Sequence, residues 1–150
     1  MKKYGMIYKS VVAVVLYICS LQVVAQSDDL PYTAGNYWEV SGIEVMPGQT
    51  LNYAHHLAKN WKKYMAFAKE KEWIVDYKVL GNIHPREGEP DLYLITVFKD
   101  WVSNEEYDKR YDEYVAYMET TNKELEEQSG ERVVMRKLKS DMLLMEYILK

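Results

Sequence analysis

One cysteine, two phenylalanines, four prolines and no run of basic residues are what this 150-residue sequence offers least of, and each scarcity excludes something. The single cysteine, Cys19, lies near the N-terminus, so no intrachain disulfide and no Cys-ligated metal set can form. The seven glycines are scattered singly, with no phosphate-cradling loop, dinucleotide fingerprint or G-x-S-x-G turn among them. Three histidines, His55, His56 and His84, include no pair at four-residue spacing and no H-E-x-x-H, so neither a metal nor a cofactor is expected.

What is present begins with an export signal. Lys2, Lys3 and Lys9 precede an unbroken apolar run from Val11 to Cys19, and Val23-Val24-Ala25 puts short side chains at the −3 and −1 positions. That layout is a secretory signal peptide over residues 1–25, with cleavage expected before Gln26. A membrane-spanning helix needs roughly 20 apolar residues, and Ser20 and Gln22 interrupt this run too early. Cys19 raises a lipoprotein reading, but Ile18 stands where a small residue is required. The expected destination is therefore periplasmic or secreted, with no stable membrane insertion after cleavage.

Cleavage removes three lysines and no acid, so 19 basic residues fall to 16 against 23 acidic ones, a net charge of −7. Nucleic-acid binding draws its affinity from neutralising phosphates, and this balance argues against it. Fourteen tyrosines are the compositional oddity. They suit half-buried surfaces whose hydroxyls reach water, or the lining of an aromatic cavity.

Residues 26–36 are polar, hold Pro31 and Gly35, and read as a tether to a domain spanning 37–150. Tyr37 to Val45 alternates, but Trp38 and Val40 fall on one phase and Ile43 and Val45 on the other; a bulge at Gly42 would reconcile them. Leu51, Ala54, Ala58, Trp61, Met65 and Ala68 recur at helical steps and predict a first helix. Trp73 to Ile83 alternates as a strand with one polar face, and Leu92 to Phe98 is apolar on both phases, as a central strand should be. A second helix is predicted over 103–128, with Ser103 as cap, Glu106 reaching back, a Glu105-Lys109 pair and a stop at Gly130. Val133 to Leu138 and Met142 to Leu149 close the chain as strand.

The order βαββαβ predicts an α+β, ferredoxin-like fold, an antiparallel sheet with two helices on one face. The helix-free face of Leu92 to Phe98 is apolar too, and a second copy of the chain, sheet against sheet, would cover it as a homodimer.

Val45-Met46-Pro47-Gly48 entering the first helix, Trp61-Lys62-Lys63-Tyr64 within it, Trp73 opening the second strand, Asp91 to Phe98, and the closing Glu146-Tyr147-Ile148-Leu149 resemble the dimeric α+β barrel superfamily. That superfamily contains antibiotic-biosynthesis-type monooxygenases and NIPSNAP-like proteins, and the resemblance to its exported members spans the whole domain. It implies a fold and a dimer more than a reaction, since none of these motifs is a catalytic signature. Its haem-degrading members use an axial histidine on the second helix, and Ser103 to Gln128 contains none. Its cofactor-independent oxygenases hold aromatic substrates in an apolar pocket between sheet and helices.

For such a pocket the predicted lining is Trp38, His55, Tyr93 and Trp101, with His55 the best candidate acid or base. His55 sits about 90° from the centre of the first helix's apolar stripe, whereas His56 points nearly opposite, into solvent. His84, beside Arg86 and Glu87 in a turn-rich loop, reads as solvated. The expected function is binding of a small apolar or aromatic molecule. The alternatives are a cofactor-independent monooxygenase or isomerase in the same cavity, and a structural protein with a filled core.

Overall fold

A computed structural model describes residues 30–150; the expected signal peptide and cleavage site lie outside these residues. The described chain runs β1 (Tyr32–Val45), a helix α1 built from Thr50–His56, a π-helical segment Leu57–Trp61 and Lys62–Glu70, then β2 (Asp76–Gly81), β3 (Leu92–Phe98), α2 (Asn104–Met118), α3 (Asn122–Arg132) and β4 (Arg136–Leu149). The four strands form one antiparallel sheet in the order β2-β3-β1-β4. This is an α+β fold with three helices, compatible with a ferredoxin-like arrangement.

Strand β1 starts at Tyr32, so the last residues of the expected tether belong to the sheet. Tyr32, Thr33 and Ala34 pair with Leu149, Ile148 and Tyr147. The register shifts between Ala34 and Tyr37, where Glu146 Oε2 accepts a hydrogen bond from the Asn36 amide at 3.2 Å. A Cβ at Gly35 would crowd Glu146, standing 2.7 Å from its Oε2 and 3.0 Å from its Cβ. Polar composition suggested a tether, but strand pairing takes up backbone groups whatever the side chains.

The second irregularity lies at the Gly42/Ile43 step, and the extra residue is Lys139 on β4. Against β3, strand β1 pairs without interruption from Tyr37 to Ile43. No bulge within β1 is needed to reconcile its two apolar phases, because both faces of this central strand carry buried side chains. Trp38 and Val40 share one face with Tyr93, Ile95 and Val97. Ile43 and Val45 lie on the other, where Tyr53, Leu57 and Trp61 of α1 pack with Leu92 and Leu94.

In α1, Leu51 is 69% exposed, and Ala54 and Ala58 are also exposed, so the predicted stripe is rotated over its first half. Tyr53, Leu57 and Trp61 face the sheet instead. Four-residue steps drift by about 40° on an α-helix. The wider π turn from Leu57 to Trp61 takes up that drift and keeps the line facing the core.

The predicted second helix is two. Ser103 caps α2, accepting from the Glu106 amide at 3.2 Å, while the Glu106 carboxylate turns away to Arg110 and Lys109. Lys109 thus pairs with Glu106, not Glu105. The helix ends at Glu119, held in the left-handed region at φ 53°. Thr121 and Glu124 then form a reciprocal capping box that starts α3, which runs through Gly130 to Arg132. The end of α1 uses the same device, with Glu72 at φ 58° turning the chain toward β2. That turn shortens the predicted second strand: Trp73 and Ile74 precede it, and regular pairing begins only around Val75, whose amide meets Val97 O.

Candidate functional site

A cavity of about 520 Å³ lies between the helix-side face of the sheet, α1 and α2. Its floor follows from strand alternation. Glu39 on β1 shares the helix-side phase with Thr96 and Phe98 on β3 and with Asp141 and Leu143 on β4. Its wall follows from helical spacing, since Tyr107, Arg110, Tyr111 and Tyr114 fall three or four residues apart on one side of α2. Tyr64 and Ala68 of α1, Trp73 and Ile74 after it, Asp100-Trp101-Val102 between β3 and α2, and Met142 of β4 complete the lining.

Aromatic contacts fix the walls. Tyr64 and Tyr114 have ring centroids 4.5 Å apart, and Tyr111 lies 6.1 Å from Tyr114. Trp101 is 65% exposed, yet it stands at the rim edge-on to Phe98 at 5.3 Å and tilted against Tyr37 at 6.2 Å. Arg110 lies 5.5 Å from the Trp73 ring centroid and donates through Nε to Glu106 Oε1 at 2.7 Å. Its charge is thereby committed within its own helix.

The polar groups of the floor are two carboxylates on neighbouring strands. The Ser41 hydroxyl donates to Asp141 Oδ1 at 3.0 Å. Glu39 is exposed to solvent, but partial burial of its carboxyl against the protein and then the negative charge of Asp141 raise its pKa above the ordinary value. Burial, followed by the neighbouring Tyr114, Tyr107 and Glu39, likewise raises the Tyr64 pKa, so its hydroxyl stays a neutral donor. The site thus offers aromatic faces, a phenolic donor and two carboxylates, one of them poised to hold a proton more readily than usual.

Of the four residues expected to line a pocket, the structure places only Trp101 in this one. Trp38 and Tyr93 lie on the opposite face, packed against Val40, Ile95 and Val97. There Trp38 Nε1 is buried without a hydrogen-bond partner, and Lys78 Nζ stands 5.7 Å from its ring centroid. His55 is exposed and does not border the cavity. His56, expected in solvent, is half-buried and stacks on Tyr53 at 6.0 Å; burial, then Arg132 and Arg136, lower its pKa. The helix rotation described above exchanges the two histidines. His84 sits exposed in its loop, as expected.

Sequence reasoning missed Glu39 and Asp141 because a strand carboxylate carries no motif. The tyrosines Tyr107, Tyr111 and Tyr114 recur at helical spacing, and that side of α2 faces the cavity. Among the described residues, no group of three His, Cys, Asp or Glu side chains could hold a metal ion, and no helix is long and apolar enough to cross a membrane. A smaller groove of about 340 Å³ lies between α1 and β2, lined by Leu57, Ala58, Trp61, Tyr77 and Val79. Comparison with protein families, curated proteins and solved structures finds no match to this chain.

Proposed function

We propose that this chain is an exported, ferredoxin-like subunit of a dimeric α+β barrel that binds a small aromatic molecule in the cavity beneath α1 and α2. The observation that carries this reading is the cavity itself. Its volume, about 520 Å³, lies within the roughly 300–1,000 Å³ of small-molecule sites, and its walls are mainly aromatic with a few convergent polar groups. A filled-core structural protein would have no such space.

Dimerisation is supported by the surface that remains. Strand β4 is an edge, and Leu143, Leu144, Tyr147, Ile148 and Leu149 along it are all exposed. Such an edge invites pairing or cover by another chain. Light scattering that finds a stable monomer at micromolar concentration would sink the dimer.

The binding test is native mass spectrometry of protein purified from its own host, followed by titration of the stripped protein with 2-naphthol, read by tryptophan fluorescence. A retained small molecule and a saturable change, lost when Val102→Trp fills the rim, are expected. Neither a retained mass nor saturation in wild type would end the reading. A second reading, an acid–base isomerase or cofactor-independent oxygenase, is favoured by the raised pKa of Glu39 inside the cavity. It moves the acid–base role from His55 to Glu39. Turnover of the retained ligand that survives Glu39→Gln unchanged would remove it.

A further inference from the structure

The charge of the cavity wall is one-sided. Glu39 enters from β1, Asp141 from β4 and Asp100 from the segment after β3, whereas the lining contains a single basic side chain, Arg110. That guanidinium is already paired with Glu106 at 2.7 Å and lies over the Trp73 indole. Pairing with Glu106 draws much of that charge out of the cavity, so the acids stay in excess over the one arginine of the lining.

The walls act in the same direction. Aromatic rings present a negative face, and a cation within about 6 Å of such a face is attracted to it, more strongly where water is excluded. Tyr64, Trp73, Tyr111 and Tyr114 line the space above the two floor carboxylates. An anionic ligand would meet like charge at the floor and the wrong quadrupole at the walls. A bare metal ion is a poor occupant, since the acids do not gather into a three-ligand cluster and the cavity is far larger than one ion. What satisfies volume, walls and floor together is a bulky organic cation.

Resting on the proposed small-molecule cavity, we infer that this site selects an aromatic ammonium compound, its rings against Tyr64, Trp73, Tyr111 and Tyr114 and its positive charge beside Glu39 and Asp141. The acidic balance of the whole chain, −4 formally, would also draw such cations toward it.

Three probes of nearly equal shape test this by calorimetric titration of the full protein: (2-naphthylmethyl)trimethylammonium, 2-naphthylmethanol and 2-naphthoate. The cation should bind at least about tenfold more tightly than the neutral alcohol at low salt, and the acid more weakly still. Raising salt to about 0.5 M should narrow the gap between cation and alcohol, because partly exposed charges are screened. Glu39→Gln with Asp141→Asn should weaken the cation alone; the salt series in wild type tests the same term without any substitution. Equal binding of cation and alcohol, or a preference for the acid, would overturn the charge selection while leaving the aromatic cavity standing. Failure of all three probes to bind would overturn both.

Discussion

Replacing Gly42 by alanine sets two opposed effects against each other, and the structure says which is larger. Gly42 is not in the left-handed region, so alanine fits its backbone conformation. On that ground alone the change should stabilise by about 0.4–1 kcal/mol, through the lower entropy of the unfolded chain. A Cβ at Gly42, however, would overlap the Ser140 hydroxyl and stand 2.6 Å from Pro90 Cγ and 3.3 Å from Pro90 Cβ. The hydroxyl can rotate away. The proline ring cannot, and it falls short of ordinary contact by about 0.8 Å. Nor can its backbone yield easily, because the next residue ties the loop to β1 twice. The Asp91 amide donates to Ile43 O at 2.8 Å, and Asp91 Oδ2 accepts from the Val45 amide at 2.7 Å. Overpacking of this kind costs about 1–3 kcal/mol. Net destabilisation of about 1–2 kcal/mol should lower the melting temperature by roughly 2–10 °C. Thermal unfolding of Gly42→Ala, Ser140→Ala, Pro90→Ala and the two double variants forms a pair of mutant cycles. Pro90→Ala should recover more of the loss than Ser140→Ala. A Gly42→Ala protein that melts at or above the wild-type temperature would refute the steric argument.

Two further outcomes follow from the electrostatics and caps. Folding raises the Glu39 pKa above the ordinary carboxyl value of 4.5, so the ionised carboxylate opposes folding: stability is full below the unfolded value and is lost as pH rises through the raised one. Glu39→Gln should therefore melt higher than wild type at pH about 7 and match it near pH about 4; a variant less stable at neutral pH would contradict this. Thr121→Ala removes the side chain that accepts from the Glu124 amide at 3.2 Å and should cost about 1 kcal/mol. Faster hydrogen exchange at the Glu124 amide should accompany the loss, and unchanged exchange and melting would show that the cap contributes nothing.

The strands were legible where both phases carried a signal. Leu92 to Phe98 read as central because it is apolar on both sides, and it pairs with β1 and β2 on either flank. The break in the second helix was also written in the sequence, since Thr121-Asn122-Lys123-Glu124 is a capping box, but apolar residues recur at helical steps on both sides of it, at Tyr107, Tyr111, Tyr114, Val115, Met118 and Leu125. Periodicity averages over turns, whereas a cap acts at one residue. In the first helix the reverse happened: leucine and alanine at Leu51, Ala54 and Ala58 outvoted Tyr53, a residue only 2% exposed in the structure.

By itself, then, the sequence determined the elements that depend on local pattern: four strands, the helical regions between them, the scarcity of thiols and the acidic balance. Tertiary structure alone decided which side chains share a space. Glu39 and Asp141 lie 102 positions apart in the chain, and only the β1–β4 register, shifted by the extra residue Lys139, sets Ser41 opposite Asp141 and Glu39 opposite Leu143. One residue of slip in β4 would turn Asp141 to the other face, away from Glu39. Likewise the π turn decided that His56 packs inward and His55 faces water, because a helix phase is fixed by what its neighbours bury and not by its own composition alone.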